Sequence, residues 1–383
     1  MVAPKRFSVN KMHWGFQTLA FLGVILIVYG CIEPFSPPEV NNPESFLVVD
    51  GFLNVGRDTS RITLRKTQNT NDDTRPVTEG GARISAEAES GETYNFEEKG
   101  DGVYVLPPVN FNMTTKYRLH IRRSNGSEYL SDFVVVTKTP PIDSLTSKLD
   151  LNRNAMLIYV NTHDATNNTR FYRWRFEETF EYRAAYFSGL VRDPETETIV
   201  ARRDNINTCW STLESRDIKL GSTIKLNQDI IKDLPINIID ISTNKLFFKY
   251  SILVRQYALS REAFEYWTDL AKTTQGTGSL FDPQPSQVTG NIKNVKDVKE
   301  LVFGYFSAVT EEKQRIFLSP ALGRYPACVP PDTLEPADAY TSYGVLLNTF
   351  MDAAGRNFVL SSSEDCADCR AQGGTTTKPS FWK

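Results

Sequence analysis

Apolar and polar residues alternate with a period of two through much of the chain from Phe46 onward. Phe46-Leu-Val-Val-Asp-Gly-Phe52 predicts a first strand, and Arg61–Arg65 and Ala82–Ala88 alternate in the same way. Tyr117, Leu119 and Ile121 interleave with Arg118, His120 and Arg122, which puts one face in a core and one in water. Ser124-Asn125-Gly126 supplies residues that accept positive φ, and Glu128–Lys138 follows as the hairpin partner. Thr93–Phe96 and Gly102–Val105 add two short strands. About seven strands in about 95 residues predict an immunoglobulin-like β-sandwich over 46–139. The Cys-Trp-Cys core pattern of antibody domains is absent there.

Thr139-Pro140-Pro141-Ile142-Asp143 predicts the boundary, because two prolines end the preceding strand and stiffen the junction. A second β-rich domain is expected over 142–383, with strands at Met156–Val160, Leu246–Leu259, Leu301–Phe306, Arg315–Leu318 and Gly344–Phe350. In Phe171-Tyr-Arg-Trp-Arg-Phe176, Tyr172, Trp174 and Phe176 share one strand face, with Arg173 and Arg175 on the other. A stacking platform for a sugar, peptide or base is one reading. A buried aromatic face with a solvated basic back is the preferred one. Ser260 is placed to cap one amphipathic helix over 260–272, whose apolar face holds Phe264, Trp267, Leu270 and Ala271. The expected fold is therefore mainly β: a sandwich, then a β-rich domain with a single such helix.

The N-terminus breaks this pattern. Lys5, Arg6 and Lys11 precede an apolar run from Phe16 to Tyr29, fourteen residues long. A bilayer-spanning helix needs about 20, so the run reads as a secretory leader over 1–30. Val28-Tyr29-Gly30-Cys31 matches the bacterial lipobox, which makes Cys31 the expected lipidation site. Three acyl chains would hold the protein to a membrane, at about 0.8 kcal/mol per buried CH₂. Ile32, rather than Asp, follows the cysteine and favours delivery to the outer membrane. Pro34, Pro37, Pro38 and Pro43 make 31–45 an extended tether of about 40 Å. Glu33 alone is too weak an acidic export signal to choose between the periplasmic and the surface-facing leaflet.

Composition changes the picture only by exclusion. The chain has 383 residues, 40% hydrophobic and 23% charged, which excludes a disordered chain and a polytopic membrane protein. Lys plus Arg is 43 against 46 Asp plus Glu. Removal of the leader takes Lys5, Arg6 and Lys11 with it and moves the net charge from −3 to −6. No nucleic-acid partner is expected of such a chain. Only His120 and His163 lie outside the leader, so His-based catalysis and metal binding have few residues to work with.

Cys209, Cys328, Cys366 and Cys369 make an even count for an oxidising compartment. The preferred pairing joins Cys328 to one member of Cys366-Ala-Asp-Cys369 and Cys209 to the other, stapling the C-terminus to the second domain. A redox pair is the alternative, but Gly-Gly-Thr-Thr-Thr follows where a helix would be needed. A zinc site is another, but zinc usually takes two close cysteine pairs and only one is present. HExxH, P-loop, GxGxxG, nucleophile-elbow and EF-hand patterns are all missing, so neither enzyme activity nor a cofactor is expected. Carboxylate-only chemistry stays open, since two acids can be positioned by the fold alone. Glu177 and Glu178 fall on opposite faces and are not such a pair. The Asn71-Asp72-Asp73 loop reads as solvated rather than as a cation site.

Several blocks then occur in a characteristic order: Cys31, Leu47-Val-Val-Asp-Gly51, Pro140-Pro-Ile-Asp143, Tyr172–Phe176 with Glu178-Thr179, and Cys209-Trp210. Tyr250–Leu253 with Gln256, Gly290-Asn-Ile292, Phe303-Gly-Tyr-Phe306 and Cys366–Arg370 with Phe381-Trp382 follow. In these the chain resembles the Bacteroidetes outer-membrane lipoprotein family catalogued as domain of unknown function 4249, with Tyr29 a departure within the lipobox. The resemblance implies a cell-envelope lipoprotein made beside a TonB-dependent transporter, and no known catalysis. By analogy it suggests an accessory that binds the transporter or a small-molecule, glycan or peptide cargo. The alternatives are a surface glycan or peptide hydrolase using carboxylates, and a structural or adhesive envelope protein.

Overall fold

The computed structural model describes residues 45–68, 77–275, 288–323 and 327–383. The leader, Cys31, the tether and the Asn71-Asp72-Asp73 loop lie outside them. The alternating stretches form strands, and the fold is mainly β as expected. The first nine are β1 (Leu47–Asn54), β2 (Ser60–Lys66), β3 (Arg83–Ala88), β4 (Thr93–Asn95), β5 (Glu97–Glu98), β6 (Val103–Leu106), β7 (Lys116–Arg122), β8 (Glu128–Ser131) and β9 (Val134–Thr137). β7 and β8 form the expected hairpin, with Gly126 at φ +84°. The inward positions of β1, β2, β3, β7 and β8, among them Leu53, Ile62, Leu119 and Tyr129, fill one core, so the sheet folds back on itself.

Past the prolines come β10 (Ile142–Asp150), β11 (Ala155–His163), β12 (Phe171–Arg183), β13 (Leu190–Asp193), β14 (Thr198–Ala201), β15 (Thr208–Glu214), β16 (Lys219–Ser222), β17 (Ile230–Asp240) and β18 (Lys249–Ala258). Helix α1 (Arg261–Thr274) follows, capped by the Ser260 side chain, which accepts from the Ala263 N–H. Its inward face is turned slightly from the expected one, because Ala263 and Tyr266 are its buried residues, with Phe264 and Trp267 beside them. The chain continues as β19 (Ile292–Asn294), β20 (Val302–Phe303), β21 (Ala308–Val309), β22 (Glu312–Leu318), β23 (Asp332–Leu334), α2 (Pro336–Ala339), β24 (Val345–Met351) and β25 (Asn357–Ser362).

The predicted division at 139–142 marks a change of sheet, but not two contiguous bodies. After α1 the chain returns to the first sheet: β19 joins β8, while β20 and β21 run parallel to β1. Residues 46–383 form one compact unit. The physical reason is edge satisfaction. Without β20 and β21, one side of β1 would leave its backbone groups unpaired against a hydrophobic core. Close approach depends on two glycines. A Cβ on Gly304 (φ +131°) would lie 2.1 Å from Val49 O, and one on Gly51 (φ +143°) would lie 2.2 Å from Arg61 O.

The second core lies between the three-stranded sheet β10-β11-β17 and the five-stranded sheet of β15, β12, β18, β22 and β16. Tyr172, Trp174 and Phe176 point into it. Trp174 donates to Gln256 Oε1 (2.8 Å), and Gln256 Nε2 donates to Pro140 O (2.8 Å) and Thr162 Oγ1 (2.9 Å). These fully buried bonds tie both sheets to the proline junction. A small sheet, β23-β25-β24, packs with the β13–β14 hairpin around Leu190, Ala339, Leu346 and Val359.

Candidate functional site

The outward face of β12 carries Arg173, Arg175 and Glu177, because its alternate positions are committed to the core. The sequence predicted a solvated back, and here the structure differs. The face is covered by β1 at Asp50–Phe52 and by α1, leaving a cleft between the two sheets. Phe52 meets Tyr257 of β18 edge-on, with ring centroids 5.0 Å apart. Trp267 of α1 lies over Arg173, whose Cζ is 3.4 Å from the ring centroid. The aromatic half of the expectation holds, and the solvated half is corrected: packing of the first sheet and the helix leaves Arg173 and Arg175 half-buried in a cleft rather than on an open surface.

The cleft has an inner and an outer part. The inner recess, about 30 Å³, is lined by Asp50, Phe52, Arg173, Arg175, Tyr257 and Trp267. It shares Asp50, Phe52, Arg175 and Tyr257 with an outer cleft of about 650 Å³, to which β2 adds Arg61 and Arg65. Among the described residues Arg173 Nε is buried without a hydrogen-bond partner. Burial, and then the nearby Arg175 charge, push the Arg173 guanidinium down to about 10.

Several other charges in the cleft are compensated, whereas Asp50 and Glu214, which also line it, make no ion pair among the described residues. Tyr257 donates to Glu311 Oε1 (2.7 Å), and Arg255 lies 3.3 Å from the same carboxylate. Lys313 lies 3.0 Å from Asp58, and Arg315 lies 3.0 Å from Glu177. Among the described residues no carboxylate lies within ion-pair distance of Arg61, Arg65, Arg173 or Arg175. The sequence singled out Arg173 and Arg175, but Arg61, Arg65 and Asp50 of the first sheet were missed as partners. Nothing local in β1 or β2 signals which distant strand they will face.

Across β12 and β15, Glu177 and Glu214 are register partners and line the same outer cleft. Glu178 points the other way into the core, where Tyr250 donates to its Oε2 (2.9 Å) and Lys245 pairs with it. The two histidines among the described residues stand apart from the cleft. His120 bridges Glu87 and Glu128 at 2.6 Å each. His163 bonds Asp143 (2.8 Å), and that carboxylate raises its pKa. On the other side of α1 a second cavity of about 640 Å³ is walled by Asp132, Glu262, Glu265 and Asp269.

The cysteines pair as the preferred reading expected: Cys209 with Cys369, and Cys328 with Cys366. Cys366 and Cys369 go to separate distant partners, so neither the redox pair nor the zinc site forms. Cys369 sits in the second core, and its carbonyl accepts from the Tyr182 hydroxyl (2.9 Å). The C-terminal segment then bridges Trp210 at Thr375 and brings Trp382 onto Phe317 at 5.7 Å.

No curated protein matches the chain. Among solved structures, a Salmonella alpha-2-macroglobulin mutant aligns with 83% of this chain and 18% of its own length, at 8% identity and a TM-score of 0.17. A family model described as domain of unknown function matches residues 32–315, a span that contains every residue of the arginine cleft. With that span matched, the chain belongs to the DUF4249 family.

Proposed function

We propose that this chain is a lipid-anchored cell-envelope protein that binds or docks, without catalysis, as an accessory of a TonB-dependent outer-membrane transporter. The state of the charges in the cleft carries binding over turnover. Glu177 and Glu311 are occupied by Arg315 and by Arg255 with Tyr257, while Arg61, Arg65, Arg173 and Arg175 have no carboxylate of their own. A cleft of uncompensated donors suits reception of a ligand better than proton transfer. The paired cysteines support an oxidising compartment. The leader and Cys31 support the anchor, and the family resemblance supports the transporter. Affinity purification of the tagged protein from its native outer membrane in mild detergent tests the reading. A co-purifying TonB-dependent channel is expected, and a protein that always purifies alone overturns the docking role.

The register of Glu177 and Glu214 favours a second reading, a carboxylate hydrolase. It requires turnover of a glycan or peptide that Glu214→Gln removes. A wild-type protein inert across such a screen eliminates it.

A further inference from the structure

We infer that the inner recess of the cleft is an oxyanion subsite, in which Arg173 and Arg175 hold the carboxylate or phosphoryl head of a ligand whose body lies in the outer cleft. This rests on the binding reading and names the chemistry of what is bound.

Four buried side-chain polar atoms lack a partner among the described residues, and Arg173 Nε is the only one on a charged group. A buried guanidinium N–H without an acceptor opposes folding, and an oxyanion arriving at Arg173 Nε would relieve that cost. Stacking on Trp267 uses the face of the guanidinium and leaves its in-plane N–H donors for a bidentate acceptor. Arg175 stands two residues along the same strand face, about 7 Å away at Cα, within reach of the same anion. Asp50 lines the recess outside ion-pair distance of either arginine, and its charge offsets part of the burial acting on Arg173. The recess has room for one or two water-sized groups and not for a whole ligand. A head group therefore fits there, with Phe52 and Tyr257 flanking the passage to the outer cleft.

A plain alternative is that Arg173 only struts the strand against α1. Thermal unfolding of the full mature chain separates the two, with inorganic phosphate and acetate as probes against chloride at matched ionic strength. At ten times its dissociation constant a bound anion should raise Tm by about 1–2 °C over chloride. Stabilisation by phosphate points to phosphoryl ligands, and stabilisation by acetate alone points to carboxylates. The effect should vanish in Arg175→Gln, which leaves the Arg173–Trp267 stack in place. Arg173→Lys should weaken it at least tenfold, since the ammonium cannot bind in bidentate fashion. A Tm that responds to neither anion beyond chloride, or an equal response in Arg175→Gln, overturns the subsite. Transporter co-purification reads docking independently, so the loss of one result leaves the other interpretable.

Discussion

Replacing Gln256 by Met tests the account of the second core most directly. The two side chains are close in volume, so packing changes little. The amide, however, holds three buried bonds: it accepts from Trp174 and donates to Pro140 O and Thr162 Oγ1. Gln256 and Trp174 are 0% exposed and Thr162 is 1%, so water cannot replace what is lost. Thr162 keeps its own bond to Pro141 O (2.8 Å) and is only partly orphaned. The Trp174 N–H and the Pro140 carbonyl are left with nothing. At about 1–3 kcal/mol for each of the two stranded buried groups, the substitution should destabilise the protein by about 2–6 kcal/mol. Urea unfolding followed by tryptophan fluorescence reads this as a fall in midpoint at unchanged slope. A loss under about 1 kcal/mol would mean that the network is not what ties the sheets to the junction, and the argument fails.

Three further outcomes are expected. Chain entropy assigns about 5 kcal/mol to the Cys209–Cys369 link, which spans 160 residues, and about 4 kcal/mol to Cys328–Cys366, which spans 38. The first Cys→Ala pair should therefore lower the urea midpoint more than the second, and the reverse order would refute the estimate. Burial works against the Asp164 carboxylate, but bonds from Thr166 and from the Thr169 N–H hold its pKa well below the usual carboxylate range. Its stabilisation is complete above an unfolded pKa near about 4 and is lost as pH falls below that, so the Tm gap between wild type and Asp164→Asn should narrow in acid. Cys31→Ser should move the protein from the membrane to the soluble fraction, and continued membrane retention would count against the lipid anchor.

The local code was readable wherever one strand face is apolar and the other polar. Tyr117-Leu119-Ile121 and Tyr172-Trp174-Phe176 declared their inward faces, and Ser260 declared the helix start. What stayed hidden was which sheets face each other. Val302-Phe303 is too short to show a period, and its partners Leu47 and Val48 lie at the other end of the compact unit. The solvated back assigned to Arg173 and Arg175 failed for the same reason, since its cover comes from Asp50–Phe52. Gly51 and Gly304 were the available clue: one sits within β1 and the other directly after β20, and a glycine in or beside an apolar strand marks close approach of another backbone.

The return of β19, β20 and β21 to the first sheet also bears on export. A chain that crosses a membrane N-terminus first delivers β1 early and the strands that flank it some 250 residues later. Until then one long side of β1 is open, next to the apolar positions Leu47, Val49 and Leu53. Such an unfinished edge invites pairing with other chains, and closing it requires contacts of high sequence separation, which form slowly. If the chain is exported as proposed, it is vulnerable during translocation rather than after it, and a holding chaperone on the far side of the inner membrane would protect that open edge. By the same reasoning, a fragment ending at residue 139 would not reproduce the N-terminal half of the protein.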